Sequence, residues 1–81
     1  MTAQGDLLAP RDFFVTIRRG DRVAFLAGPF PTHAAALALV DEASRVACEL
    51  DPWADFDAFG TCSIPAGSGK RGGLNARLGI R

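Results

Sequence analysis

The feature that most constrains the fold of this chain is a pair of short apolar runs separated by Gly20 and Asp21. Each run alternates between two faces with the period of a β-strand, and aromatic and β-branched residues dominate the first. Glycine accepts the positive φ of a two-residue hairpin turn. The sequence therefore predicts an antiparallel hairpin over residues 13–27. Because both faces of its second strand are apolar, we expect that strand to lie inside the sheet.

Residues 33–50 have the apolar period of an amphipathic helix, and they follow two prolines that should end the second strand. Thr32 is a suitable N-cap, and Pro52 disfavours a helical conformation at Asp51, so the helix should end near Leu50. We expect its apolar stripe to cover a sheet face made of Phe13, Val15, Ile17 and Phe25. The predicted stripe consists of Ala36, Leu39, Val40, Ala43, Ala47 and Leu50.

A third alternating run, residues 58–64, ends at Pro65 and predicts a third strand. The expected fold is a small α+β domain over residues 12–65, in which one helix packs on a three-stranded sheet in the order β-β-α-β. Residues 1–11 read as a loose leader. Residues 66–81 contain five of the nine glycines and predict a flexible basic tail, with a last apolar stretch, LNARLGI, that could dock weakly.

The total composition bounds what this chain can do. With 81 residues it forms one domain with a small core, as a monomer or weak homodimer. Two cysteines and one histidine are too few for a disulfide framework or a tetrahedral zinc site. The longest apolar run is too short to cross a bilayer, and the N-terminus lacks the pattern of a signal peptide, so we expect no membrane contact and an intracellular location.

The charges cancel overall, with nine basic and nine acidic residues, but they are segregated along the chain. Residues 1–40 carry a net charge of +1, residues 41–57 carry −5, and residues 58–81 carry +4. This asymmetry between an acidic middle and a basic end is the main functional signal of the sequence.

No catalytic motif accompanies these charges. Residues 67–72 spell G-x-G-x-x-G, but neither a helix nor an acidic residue follows, as a dinucleotide-binding loop requires. His33 has no nucleophile framed beside it, and Cys48 and Cys62 are expected to be packing residues. We therefore expect no enzymatic activity, no cofactor and no metal.

The segment DPWADFDAFGT, residues 51–61, alternates acidic and aromatic residues and allows three interpretations. It could be a structural connection in which Asp51 caps a turn and Trp53 and Phe56 close the sheet edge. It could hold a metal between Asp51 and Asp55. It could also be a docking surface for a basic partner, because aromatic anchors within an acidic rim suit such a partner. The candidate docking residues are Glu49, Asp51, Trp53, Asp55 and Asp57.

The pattern of strand, RRGDR, strand, GPFPTHAAALALVDEA and DPWADFDAFGT resembles the short accessory proteins of phages and integrative elements from GC-rich bacteria. It is similar in size and layout to anti-CRISPR proteins directed at type I systems, such as the type I-C group. The resemblance covers residues 13–64. It implies a non-enzymatic inhibitor in the bacterial cytoplasm that binds a host surveillance complex at a basic nucleic-acid-binding surface and blocks target DNA binding or nuclease recruitment.

A second hypothesis assigns nucleic-acid binding to the chain itself, as an accessory protein of a mobile element. Basic, glycine-rich segments contact phosphates readily. The neutral total charge and the lack of a known nucleic-acid-binding motif weigh against this hypothesis. Its candidate residues are Arg18, Arg19, Arg22, Lys70, Arg71 and Arg77.

Overall fold

The computed structural model describes residues 10–80, so most of the predicted leader and the last tail residue, Arg81, lie outside the described part. An antiparallel three-stranded sheet in the order β2-β1-β3 carries helices on one side, which confirms the α+β class. The elements are β1 (Arg11–Arg19), β2 (Arg22–Phe30), α1 (His33–Leu37), α2 (Val40–Leu50), a 3-10 helix (Pro52–Phe56) and β3 (Ala58–Pro65).

The hairpin register assigns Phe25 to the face opposite the one predicted. Arg19 pairs with Arg22 across the two-residue turn, which places Phe25 opposite Thr16. Directly opposed residues share a sheet face, so Phe25 lies with Thr16 and stacks on Phe14 at 4.5 Å between ring centroids. The prediction that Phe25 faces the helices is therefore wrong. An extra residue in β2 then shifts the register and brings Ala27 opposite Val15 on the helix side.

The position of β2 also differs from the prediction, because β2 is an edge strand and β1 is central. β2 runs through Pro29 to Phe30. Proline has no N–H to donate, and an edge strand tolerates this where that side of the strand is unpaired or where the strand has a bulge. The C-terminal segment explains why β2 is nevertheless apolar on both faces. Backbone N–H groups of residues 72–74 donate to carbonyls of β2, and the next residues pack against the core.

The helical region is two helices rather than the single one predicted, with Ala38 and Leu39 between them. Thr32 caps α1 as predicted, since its Oγ1 accepts from the N–H of Ala35 at 3.1 Å. Ala43 and Ala47 are buried as predicted, and Val46 is buried beside them. Leu50 shares their helix face but is the last residue of α2 and is 49% exposed, so its inclusion in the buried stripe was wrong.

Small side chains let the helices approach the sheet closely. Val15 of β1 is fully buried at the centre of the core, next to Leu26, Ala27 and Phe30 of β2. Alanines supply the helical side of this core, which is formed by Ala36, Ala43, Ala47 and Ala54. Leu74, Leu78 and Ile80 of the C-terminal segment pack against the same cluster. The segment that composition predicts to be a flexible tail thus contributes apolar side chains to the core.

The buried side chain of Asn75 fastens this segment to β2. Its Oδ1 accepts from the N–H of Gly28 at 2.9 Å, and its Nδ2 donates to the carbonyl of Gly28. An asparagine amide has the donor and acceptor of a peptide group, so it replaces a neighbouring strand at this point. Gly28 has φ of +129°, and a Cβ there would lie 2.6 Å from Phe14 Cδ2. Only glycine fits this position.

Gly72 completes the attachment. Its N–H donates to the Gly28 carbonyl at 3.1 Å, and a Cβ on Gly72 would overlap the backbone of Leu26 and Ala27. The glycine therefore allows two backbones to touch. The glycine-rich composition, which predicts a flexible tail, here allows the C-terminal segment to lie directly against the backbone of β2.

Replacing Asn75 by Ala should destabilise the fold by about 1–3 kcal/mol, because it leaves the buried N–H of Gly28 without a hydrogen-bond partner. The Gly28 carbonyl keeps the hydrogen bond that Gly72 N–H donates to it. Chemical denaturation followed by circular dichroism measures this change. Arg77→Ala, an exposed position in the same segment, is the matched control and should change stability by less than about 0.5 kcal/mol. Equal stability of the two variants, with high mobility of residues 72–75 in backbone NMR relaxation, would show that the segment is a free tail.

Candidate docking site

The 3-10 helix begins at an aspartate and a proline that together suit a helix start. Asp51 has an extended conformation and its Oδ1 accepts from the N–H of Trp53 at 3.1 Å. Pro52 occupies the first helical position, where no hydrogen-bond donor is needed. Ala54 is buried against the core and fixes the inner side of this turn. Residues 53, 55 and 56 consequently face outward.

Arg19, at the end of β1, clamps both ends of the 3-10 helix. Its Nη2 lies 2.7 Å from Asp57 Oδ2 and 3.1 Å from Asp51 Oδ2, and its Nε lies 3.0 Å from both oxygens of Asp57. The side chain of Asp57 is 7% exposed. The hydrogen bonds that Arg19 donates, first to Asp57 and then to Asp51, raise the pKa of Arg19 above its ordinary value, so the guanidinium stays charged. We call these three residues the arginine clamp.

Two aromatic side chains of the clamped 3-10 helix, Trp53 and Phe56, are exposed to solvent. Trp53 is 71% exposed and Phe56 is 80% exposed, and their ring centroids lie 5.9 Å apart at a tilt of 38°. They line a shallow hollow together with Arg19 and Asp57. The interpretation in which Trp53 and Phe56 close the sheet edge is wrong, because neither ring is buried. Leu50, at the preceding helix end, is also half-exposed and extends the apolar surface.

The acidic members of the five predicted docking residues differ in whether their carboxylates already have hydrogen-bond or ion-pair partners within the chain. Both oxygens of Asp51 are engaged, one by Trp53 N–H and one by Arg19, and Asp57 is bound to the same arginine. Glu49 pairs with Arg45 at 2.8 Å on the exposed side of α2. Asp55 is exposed and has no ion pair or side-chain hydrogen bond among residues 10–80. Asp55 is thus the carboxylate beside the aromatic rings that is most available to a partner.

A metal between Asp51 and Asp55 finds no support in this geometry. The hydrogen bonds of Asp51 already occupy both of its oxygens. Within the described part of the chain, no group of three histidine, cysteine or acidic side chains is close enough to hold a metal ion.

The six basic residues of the nucleic-acid hypothesis do not form one surface. Arg19 belongs to the clamp. Arg22 lines a second hollow, which lies between the clamp and Val23. Lys70 and Arg71 lie on a different side of the hairpin, in a groove with Val23, Phe25 and Gly73. Arg18 is the cross-strand partner of Val23, and Arg77 is exposed and does not line this groove.

The nucleophile candidates occupy structural positions. His33 Nε2 lies 3.1 Å from Thr61 Oγ1, and its imidazole ring lies 6.1 Å from that of Phe13. Cys48 and Cys62 are free, half-buried thiols, and burial raises the pKa of Cys62. A raised pKa keeps the Cys62 thiol protonated and lowers its nucleophilicity at neutral pH.

Comparison with protein-family models, curated proteins and solved structures gave no match to this chain. Among residues 10–80, no helix has the length and apolar character needed to span a bilayer. The function must therefore be inferred from the surface itself.

Replacing Arg19 by Met should lower the melting temperature more than replacing Arg45 by Met. Both arginines are ion-paired, but Arg45 and Glu49 are 60% and 62% exposed, whereas the carboxylate of Asp57 is almost covered. Breaking an exposed pair costs little, whereas a covered carboxylate left alone keeps its desolvation penalty. Thermal unfolding at low ionic strength compares the two variants. Similar melting temperatures would mean that the clamp adds no more than an ordinary surface pair.

Proposed function

We propose that this protein is a non-enzymatic inhibitor that docks onto a basic, nucleic-acid-binding surface of a host protein complex through Trp53, Phe56 and Asp55. The partner in this proposal is a type I CRISPR surveillance complex in the bacterial cytoplasm, and docking blocks its binding of target DNA or its recruitment of a nuclease. The single observation that carries the docking proposal is the solvent-exposed Trp53–Phe56 pair.

The exposure of these rings supports docking, because it costs free energy and the rings make no contribution to the core that would explain their presence. Two aromatic side chains left in water lose the free energy that burial would provide. Exposed apolar patches on small soluble domains are typical of interaction surfaces, and tryptophan is enriched among binding hot spots. The arginine clamp bonds both ends of the 3-10 helix, which limits the backbone entropy lost when a partner buries the rings.

The charges around the rings support a basic partner. Asp51, Asp55 and Asp57 lie in the 3-10 helix or at its caps, and Asp55 and Glu49 expose their carboxylates. Even with Arg19 counted against them, the local charge stays negative. Such a surface increases the rate of encounter with a positively charged one and disfavours neutral competitors.

The choice of a surveillance complex rests on the resemblance to type I anti-CRISPR proteins. Those complexes hold target DNA on basic surfaces, as RNA-guided effectors do in general. An acidic protein with fixed carboxylates can occupy such a surface in place of phosphates. The resemblance thus suggests the partner, and the exposed surface suggests the docking site. One experiment can test both.

The first prediction is that the parent protein, in stoichiometric excess, prevents a purified type I surveillance complex from shifting target DNA in a gel assay. If it blocks nuclease recruitment instead, DNA binding persists and cleavage is lost. Trp53→Ala with Phe56→Ala should abolish either effect, since a hot-spot residue contributes about 2 kcal/mol or more to binding.

Leu37→Ala is the matched control, because Leu37 is 57% exposed and lies on α1. It should inhibit like the parent protein. All variants should melt close to the parent temperature, because the replaced side chains are mostly exposed. The docking site is excluded if the double aromatic variant inhibits normally. The surveillance-complex assignment is excluded if the folded parent protein has no effect on either DNA binding or cleavage.

A second prediction concerns the free carboxylate. Asp55→Asn should weaken partner binding by about 0.5–1 kcal/mol at low salt and by less at high salt, because salt screens exposed charges. Surface plasmon resonance at two ionic strengths measures the difference. Asp41→Asn, at the far end of α2, is the control and should have a smaller effect. A loss that is the same at both salt concentrations contradicts an electrostatic role for Asp55.

A further inference from the structure

A basic groove lies on the side of the hairpin opposite the helices, and it is independent of the docking site. Its lining consists of Val23, Phe25, Lys70, Arg71 and Gly73, with no acidic residue among them. Arg18 is directly opposite Val23 in the sheet and is exposed, so it borders the same surface. The acidic residue nearest in sequence is Asp21, in the hairpin turn.

We propose that this groove binds the backbone of a single-stranded nucleic acid, with phosphates contacting Lys70, Arg71 and Arg18 and bases contacting Val23. The charges are complementary to phosphate, since Lys70 and Arg71 line a groove without acidic residues and Arg18 is the cross-strand neighbour of Val23. Arginine and lysine supply most phosphate contacts in nucleic-acid complexes.

The groove is preorganised although it lies in a glycine-rich segment. The N–H of Lys70 donates to Ser68 Oγ at 3.2 Å, which shapes the turn before it. The residues that follow Arg71 are fixed to β2, because Gly72 N–H donates to Gly28 and Gly73 N–H donates to Phe25 at 2.9 Å. Lys70 Nζ lies 5.9 Å from the centroid of the Phe25 ring, which favours a position over the groove. Two cations are therefore held beside the hairpin.

The apolar floor distinguishes a single strand from a duplex. Val23 is 56% exposed and lines the groove together with Lys70 and Arg71. A duplex turns its stacked bases inward and presents phosphates and groove edges, which leave an apolar floor uncovered. A single strand can turn its bases toward such a surface while its phosphates contact the surrounding cations.

Fluorescence anisotropy with a labelled, mixed-sequence single strand of about 16 nucleotides, as DNA and as RNA, tests this proposal without any protein partner. Arg71→Gln should reduce affinity at least threefold and lower the slope of log affinity against log salt by about 0.7, the value for one lost phosphate contact. Arg77→Gln, in the same segment but outside the groove, removes the same charge and is the matched control.

Binding of either strand with a selective loss in Arg71→Gln supports the groove. The proposal is overturned if neither strand binds, if the two glutamine variants behave alike, or if polyglutamate competes as well as the unlabelled strand. Tighter binding of the corresponding duplex also overturns it. The double aromatic variant at Trp53 and Phe56 should bind the strand normally, so that this result and the docking result are independent.

Discussion

The pairing of Asn75 with Gly28 is the interaction on which the packing of residues 72–80 against the sheet depends. It replaces a missing strand at the point where β2 has a bulge, and it satisfies the N–H of Gly28, which would otherwise be buried without a partner. Together with the backbone hydrogen bonds of residues 72–74, this amide holds the segment against β2, and Leu74, Leu78 and Ile80 pack on the core from there. A small domain has little apolar surface to bury, so these three side chains are a substantial part of it.

The arginine clamp performs a related task at the other end of the sheet. It ties the hairpin to the connection between α2 and β3, two parts of the chain that are separated by more than thirty residues. The connection is short and carries only one buried side chain, Ala54, so packing alone would hold it weakly. Charge pairing in a partly covered environment thus sets the position of a surface whose aromatic rings contribute little to the core.

How far the sequence predicts this structure depends on the range of the interactions involved. The hairpin turn, the Thr32 cap and the start of the 3-10 helix at Asp51 follow from local rules, and the structure has all three. The face of Phe25 depends on counting residues through the turn, and the central position of β1 depends on which strands pair. The attachment of Asn75 to Gly28 spans 47 residues, and a glycine-rich composition gives no sign of it.

The candidate site shows the same division. The alternation of acidic and aromatic residues in residues 51–57 predicts a docking site in this segment, but it could not show which carboxylates remain free of partners within the chain. Asp51 and Asp57 proved to be bound by Arg19, a residue that had been assigned to a different surface. One sequence signal could have suggested this pairing. Arg19 ends β1, and the neighbouring strand β3 begins at Ala58, directly after Asp57. Such pairings become visible only when the register of the sheet is known.

The exposure of Trp53 has a spectroscopic consequence. The chain contains one tryptophan and no tyrosine, so its near-ultraviolet emission comes almost entirely from a single indole on the outer side of the 3-10 helix. That indole is already in water in the folded protein, so its emission changes little on unfolding. It shifts strongly when another surface covers it. The protein therefore carries a built-in optical reporter of contact with a partner, which responds to association far more than to folding.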